Sequence, residues 1–106
     1  MDAKKRKKLQ AGGWAVGDAA SFLQLSPAEA TLVEMRLALS QTLRERRLES
    51  GVTQTTLAKQ LGSSQSRVAK LEAGDASVSL ELLIRALLAV GASRKEVATA
   101  LARRVA

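Results

Sequence analysis

The sequence predicts an all-α fold, and three observations lead there. Helix start and stop signals punctuate the chain from Ser26 to its end. No segment alternates apolar and polar residues over several positions, as a half-buried strand would. The apolar residues make up 46% of 106, yet they include one Trp, one Phe and no Tyr, so the core must be aliphatic.

The elements follow in order. Residues 1–13 hold Lys4, Lys5, Arg6, Lys7 and Lys8 against Asp2 alone and end in Gly12-Gly13. Like charges repel, so a flexible basic arm is expected. Asp18 is a cap for a short helix through Leu23. Ser26-Pro27-Ala28-Glu29 is a capping box with proline at the first helical position, and it predicts a helix running to about Ser50, where Gly51 stops it. That helix carries two apolar stripes. Leu32, Met35, Leu39 and Leu43 form one; Val33, Leu37 and Leu48 form the other. One stripe docks a helix on its own domain. The second suggests that the N-terminal half also meets another chain or the segment before it.

Four shorter helices are expected after Gly51. Thr53 caps one through Leu61, closed by Gly62; Ser64 caps the next through Ala73, closed by Gly74. Ser79 begins Leu80 to Val90, apolar except for Glu81 and Arg85 and so expected to be deeply buried. Gly91 stops it. Ser93-Arg94-Lys95-Glu96 reads as a second capping box, starting a helix through about Arg103.

Composition narrows the function. With no His and no Cys, most metal sites, Cys nucleophiles, His-based triads and disulfides are excluded. The carboxylates are scattered and no Gly-rich phosphate loop follows a strand, so no enzyme, cofactor or metal is expected. No charge-free stretch approaches the roughly 20 residues of a membrane span. The basic start lacks the apolar run of a signal peptide, and a cytoplasmic protein is the expectation. The net charge of +7 favours polyanions as partners.

The functional signal lies between Thr53 and Glu72. Two short helices meet across a turn carrying Gly62, where a positive φ is needed. Leu57, Leu61, Val68 and Leu71 fall where both helices face one core, and Ala58 is small at their approach. This is the recipe of a helix-turn-helix, whose second helix enters the DNA major groove. The outward face of that helix carries Gln65, Ser66, Arg67 and Lys70. Amide, hydroxyl and basic groups are the types that read base edges. Gln54 and Ser64 lie at helix N-termini, which offer free N–H groups to phosphates.

Residues from about Leu39 to Val90 resemble the XRE/Cro-repressor-like helix-turn-helix family. The resemblance rests on Leu43-x-x-x-Arg47-x-x-x-Gly51-x-Thr53-Gln54, on Leu57-Ala58 with Leu61-Gly62, on Ser64 through Glu72 with Gly74, and on Ser79-Leu80-x-x-Leu83. It implies a five-helix, lambda-repressor-like fold, here with an extended first helix and the basic arm. It also implies roles: Gln65, Ser66 and Lys70 toward bases, Thr53, Gln54 and Ser64 toward phosphate, and Arg67 toward either. Arg47 and Glu72 stand where the family often has a partly buried ion pair. The lysine-rich start, Gly13-Trp14-x-Val16-Gly17, Phe22-Leu23 and Leu25-Ser26-Pro27 resemble HigA-type antitoxins. Trp14 and Phe22 are expected to pack on the two-striped helix, in cis or across a dimer.

The reading is therefore a flexible arm (1–13), an interaction or dimerisation segment (14–38) and a DNA-binding domain (39–106). Its function would be that of a transcriptional repressor, reading a palindromic operator in double-stranded DNA as a homodimer and serving as the antitoxin of a toxin protein. The alternative is a protein-interaction module whose main task is to neutralise that toxin. The arm either supplements DNA binding or acts as a solubilising or partner-binding tail. Either the second stripe or the last two helices could supply the dimer surface.

Overall fold

The computed structural model describes residues 26–103. The basic arm, the Asp18–Leu23 helix, and Trp14 and Phe22 lie outside the described residues. Five helices follow: α1 (Pro27–Glu49), α2 (Gln54–Leu61), α3 (Gln65–Ala73), α4 (Leu80–Ala89) and α5 (Arg94–Ala102). Among the described residues there is no strand.

The capping box at the start of α1 is complete. Ser26 Oγ accepts from the Glu29 N–H at 3.1 Å, and Glu29 Oε1 accepts from the Ser26 N–H at 3.2 Å. Its 23 residues make a rod of about 34 Å, too long for the body it serves. The first wholly buried position is Ala38; Leu39 and Leu43 are sealed in the core below it. Nearer the N-terminus, Leu32 is 47% exposed and Met35 is half-buried, so only half of the first stripe is core. The second stripe is exposed only at its C-terminal end. Leu48 is 57% exposed, while Val33 and Leu37 are half-buried.

Around this rod, α3, α4 and α5 each pack on α1, and α2 packs on α3 and α4. The core where they meet is built wholly of Leu, Val and Ala: Leu39, Leu43, Leu57, Val68, Leu71, Leu83 and Leu87 at its centre. Leu61 packs against its edge. The expected burial of Leu80 to Val90 needs correction. Leu83, Ala86 and Leu87 are buried, but Leu88 is 51% exposed and Leu80, Leu82 and Ile84 are half-buried. A helix on the outside of so small a body can cover only the face it turns to α1 and α2.

The second capping box forms only by half. Ser93 Oγ accepts from the Glu96 N–H at 3.1 Å. The Glu96 carboxylate does not take the Ser93 N–H; its Oε1 accepts from the Ser93 hydroxyl at 3.5 Å and from Arg46 Nη2 at 3.3 Å, and that Nη2 also donates to the Gly91 carbonyl at 2.7 Å. A cation from α1 out-competes a backbone N–H for that carboxylate. The next residue, Arg47, points the other way. Its Nε and Nη2 donate to the two oxygens of Glu72 on α3, and its Nη1 donates to the Val52 carbonyl at 2.9 Å. The side chains are 11% and 5% exposed, so the pair is nearly dry. The Glu72 hydrogen bond raises the Arg47 pKa above its ordinary value, and the guanidinium stays charged at any working pH.

The end of α3 shows why glycine stands there. Gly74 has φ +71°, and a Cβ on it would lie 2.9 Å from Leu37 Cδ2. The turn thus presses flat against α1 beside Ser40, whose hydroxyl is buried with no hydrogen-bond partner among the described residues. Beyond it, the Ser77 N–H donates to Asp75 Oδ1 at 2.7 Å and holds that carboxyl below its ordinary pKa.

Two predictions follow from this packing. Removing the unpaired hydroxyl in Ser40→Ala relieves a desolvation cost and improves helix propensity, so urea unfolding should show unchanged or raised stability, by up to about 1 kcal/mol. Gly74→Ala should lose about 1–3 kcal/mol through left-handed strain and the contact with Leu37; a clear loss in Ser40→Ala with none in Gly74→Ala would contradict the packing. The second concerns the ion pair. Glu72→Ala leaves a buried guanidinium unpaired and should cost about 3 kcal/mol or more. Glu45, 60% exposed and 3.9 Å from Arg103, should contribute under about 0.5 kcal/mol when changed to Ala. Equal small losses in thermal melts would show that the Arg47 pair is not held as described.

Candidate nucleic-acid interface

The helix pair α2–α3 builds the candidate interface. Thr53 and Ser64, both in extended conformation, cap the two helices by accepting from the N–H groups of Thr56 and Arg67, each at 3.1 Å. The connection between them depends on Gly62, which at φ +64° lets the chain reverse within three residues. The Ser63 N–H then closes on the Ala58 carbonyl at 2.8 Å. Val68 and Leu71 of α3 and Leu57 and Ala58 of α2 are buried, which leaves one face of each helix outside.

That outer face of α3 carries Gln65, Ser66, Arg67 and Lys70, all exposed. Among the described residues neither Arg67 nor Lys70 has a carboxylate within ion-pair distance. Ala69 lies half-buried between them. Ser66, Arg67 and Lys70 share one polar hollow with Ser64 and the Ser77–Val78 turn. Arg36 of α1 donates to the Val78 carbonyl and ties that turn down.

Gln54 and Gln65 are joined in a way that the sequence did not announce. Gln54 Nε2 donates to Glu72 Oε1 at 3.1 Å, and Gln65 Nε2 donates to Gln54 Oε1 at 2.6 Å. The ionised carboxylate can only accept, so it dictates how the Gln54 amide is turned, and that in turn dictates Gln65. A relay thus runs from Arg47 through Glu72 and Gln54 to Gln65, across α1, α3, α2 and back to α3. Its outer end presents a carbonyl and one remaining N–H of Gln65 outward. Gln54 thus donates one hydrogen bond and accepts one within the protein, and keeps a second N–H. The hydroxyl of Thr53 is likewise engaged, donating to Thr56 Oγ1 at 3.0 Å while it caps.

Two residues that position this face were not singled out from the sequence: Arg36 and Val78, which fix the turn beside α3. Leu48, read from the sequence only as part of an apolar stripe, lines a groove with Gln54 and Gln65. The available signal was weak: half-buried arginines look like solvated ones in a basic helix. Among the described residues no group of three or more acidic, His or Cys side chains could hold a metal ion, and no helix is long and apolar enough to cross a membrane.

Comparison with known proteins gives one match. The family described as helix-turn-helix domain matches residues 38–100. No curated protein and no solved structure matches significantly. The matched span runs from the first buried residue of α1 to the last buried residue of α5 and includes every core residue of the helix pair. The chain belongs to the helix-turn-helix domain family.

Proposed function

We propose that this protein is a sequence-specific DNA-binding transcriptional repressor of the XRE/Cro type, reading a palindromic operator as a homodimer. The observation that carries the reading is the outward row of Gln65, Ser66, Arg67 and Lys70, with Gln65 held at its base by Gln54, Glu72 and Arg47. A glutamine that offers one acceptor and one donor side by side suits adenine, which presents N6–H and N7 in the major groove. Lys70, and Arg67 where it reaches, suit the O6 and N7 of guanine. Phosphate contacts fall to the N-terminal N–H groups of α2 and α3, at Gln54 and behind Ser64, because the Gln54 side chain and the Thr53 hydroxyl already have partners.

The segment 53–75 is only weakly basic, with Lys59, Arg67 and Lys70 against Glu72 and Asp75. Lys4 to Lys8 would supplement its non-specific affinity. A second reading has its own support. The first turns of α1 lie outside the sealed core and expose Leu32, a surface that suits a protein partner such as a toxin. In that reading the chain is an antitoxin, and DNA binding represses its own operon.

Two experiments test this. Two reading heads are needed for a two-fold site, so light scattering should give a dimer at high micromolar concentration; a monomer mass would speak against the symmetric reader. In binding titrations against an operator and its single-base variants, Gln65→Ala and Lys70→Ala should each lose about 1–3 kcal/mol and relax preference at particular base pairs. A gel shift on the DNA upstream of the gene supplies the operator. Wild-type affinity and wild-type preference in both variants would mean that α3 is not the reading head.

A further inference from the structure

Leu48 has no structural task that explains it. It stands in the last turn of α1 with 57% of its surface exposed, more than Leu32 or Leu88. The nearest sealed leucine, Leu43, lies more than one turn earlier, and the polar anchor of this last turn is Arg47. Leu48 points about 100° away from that anchor along the helix surface. Together with Val52 it forms the apolar wall of a groove whose other wall is made by Thr53, Gln54 and Gln65.

The chemistry of the two walls differs. At the polar wall, the N–H groups of Gln54 and Thr55 have no acceptor within the helix, whereas those of Thr56 and Leu57 are taken by the Thr53 hydroxyl and carbonyl. Nucleic-acid backbone alternates an anionic phosphate with an apolar sugar face, so it is amphipathic along its length. A free phosphate would have no use for the leucine, and a base edge would meet Gln65 before it met α1. The groove also adjoins the reading head directly, since Gln65 belongs to both.

We propose that Leu48 packs on a deoxyribose of the DNA backbone, with Val52 behind it, while the adjoining phosphate faces the start of α2. This rests on the DNA-binding reading above. Leu48 then adds sequence-independent affinity without adding charge, which offsets in part the weak basicity of the helix pair. It also sets how closely α3 approaches the groove, because the sugar stops against it.

The test uses the full chain, a mixed-sequence duplex and the operator duplex over a range of salt concentrations. Leu48→Ala should weaken binding to both duplexes by a similar factor, up to about tenfold, with an unchanged dependence on salt. Leu48→Lys should instead steepen the dependence of log K on log salt by about one unit per half-site, because a new cation meets the backbone. Both variants should melt like the wild type, since the side chain is exposed. Unchanged affinity and salt dependence in both variants, with wild-type binding intact, would overturn the proposal while leaving the DNA reading in place. A loss confined to particular base pairs would overturn it too, by making Leu48 a base reader. Loss of the dimer in Leu48→Lys would assign the leucine to a second copy of the chain. Failure of the wild type to bind either duplex would remove both readings together.

Discussion

The buried pair of Arg47 and Glu72 is the interaction on which the rest depends. It joins the end of α1 to the end of α3 with two charge-assisted hydrogen bonds in a nearly dry setting. Burying two charges is costly, and apolar residues of the same volume would often stabilise a core as well. What an apolar pair could not supply is direction. Glu72 still has capacity to accept, and Gln54 uses it; Gln54 then fixes Gln65. A stabilising contact between helices therefore ends in an oriented amide on the surface. The same residues that hold α3 in place decide which groups it displays.

The long first helix works as a spine with unequal halves. From Ala38 onward one face of it is buried against α3, α4 and α5; before that it is half-covered or exposed. Its adjacent arginines divide the fold between them. Arg46 reaches the α4–α5 connection, and Arg47 reaches the α1–α2 connection at Val52 and Glu72 on α3, because consecutive residues on a helix point about 100° apart. Both connections are thereby anchored. The flat contact of Gly74 on Leu37 and Ser40 lets α3 lie close to this spine, and the close approach brings Glu72 within reach of Arg47.

The aliphatic core has a consequence for the interface. Leu, Val and Ala interdigitate without polar side-chain atoms, so the helix-end groups that lack an intrahelical partner must be met by caps or by solvent. Thr53 and Ser64 supply the caps. The helix ends nearest the proposed DNA face keep their remaining N–H groups turned to solvent, ready for an anion.

The sequence by itself determined the elements. Side-chain oxygens before apolar runs and glycines after them act within a few residues, so the five helices, their caps at Ser26, Thr53, Ser64, Ser79 and Ser93, and the glycine turn at Gly62 could be read locally. The outward row of Gln65, Ser66, Arg67 and Lys70 was legible for the same reason, since helix periodicity and the apolar positions Val68 and Leu71 leave it only one side to face. Tertiary structure decided whatever involved competition between distant groups. Glu96 read as the second half of a capping box, but its carboxylate pairs with Arg46, 50 positions earlier, and meets only the hydroxyl of Ser93. Gln54 read as a helix-start amide with no inward partner, but Glu72, 18 positions later, accepts one of its N–H groups. Leu80 to Val90 looked buried all round, but the body has too few neighbours to cover both sides of α4. Local signals state what a side chain can bond to; only the packed fold settles which partner arrives first and which faces are left without one.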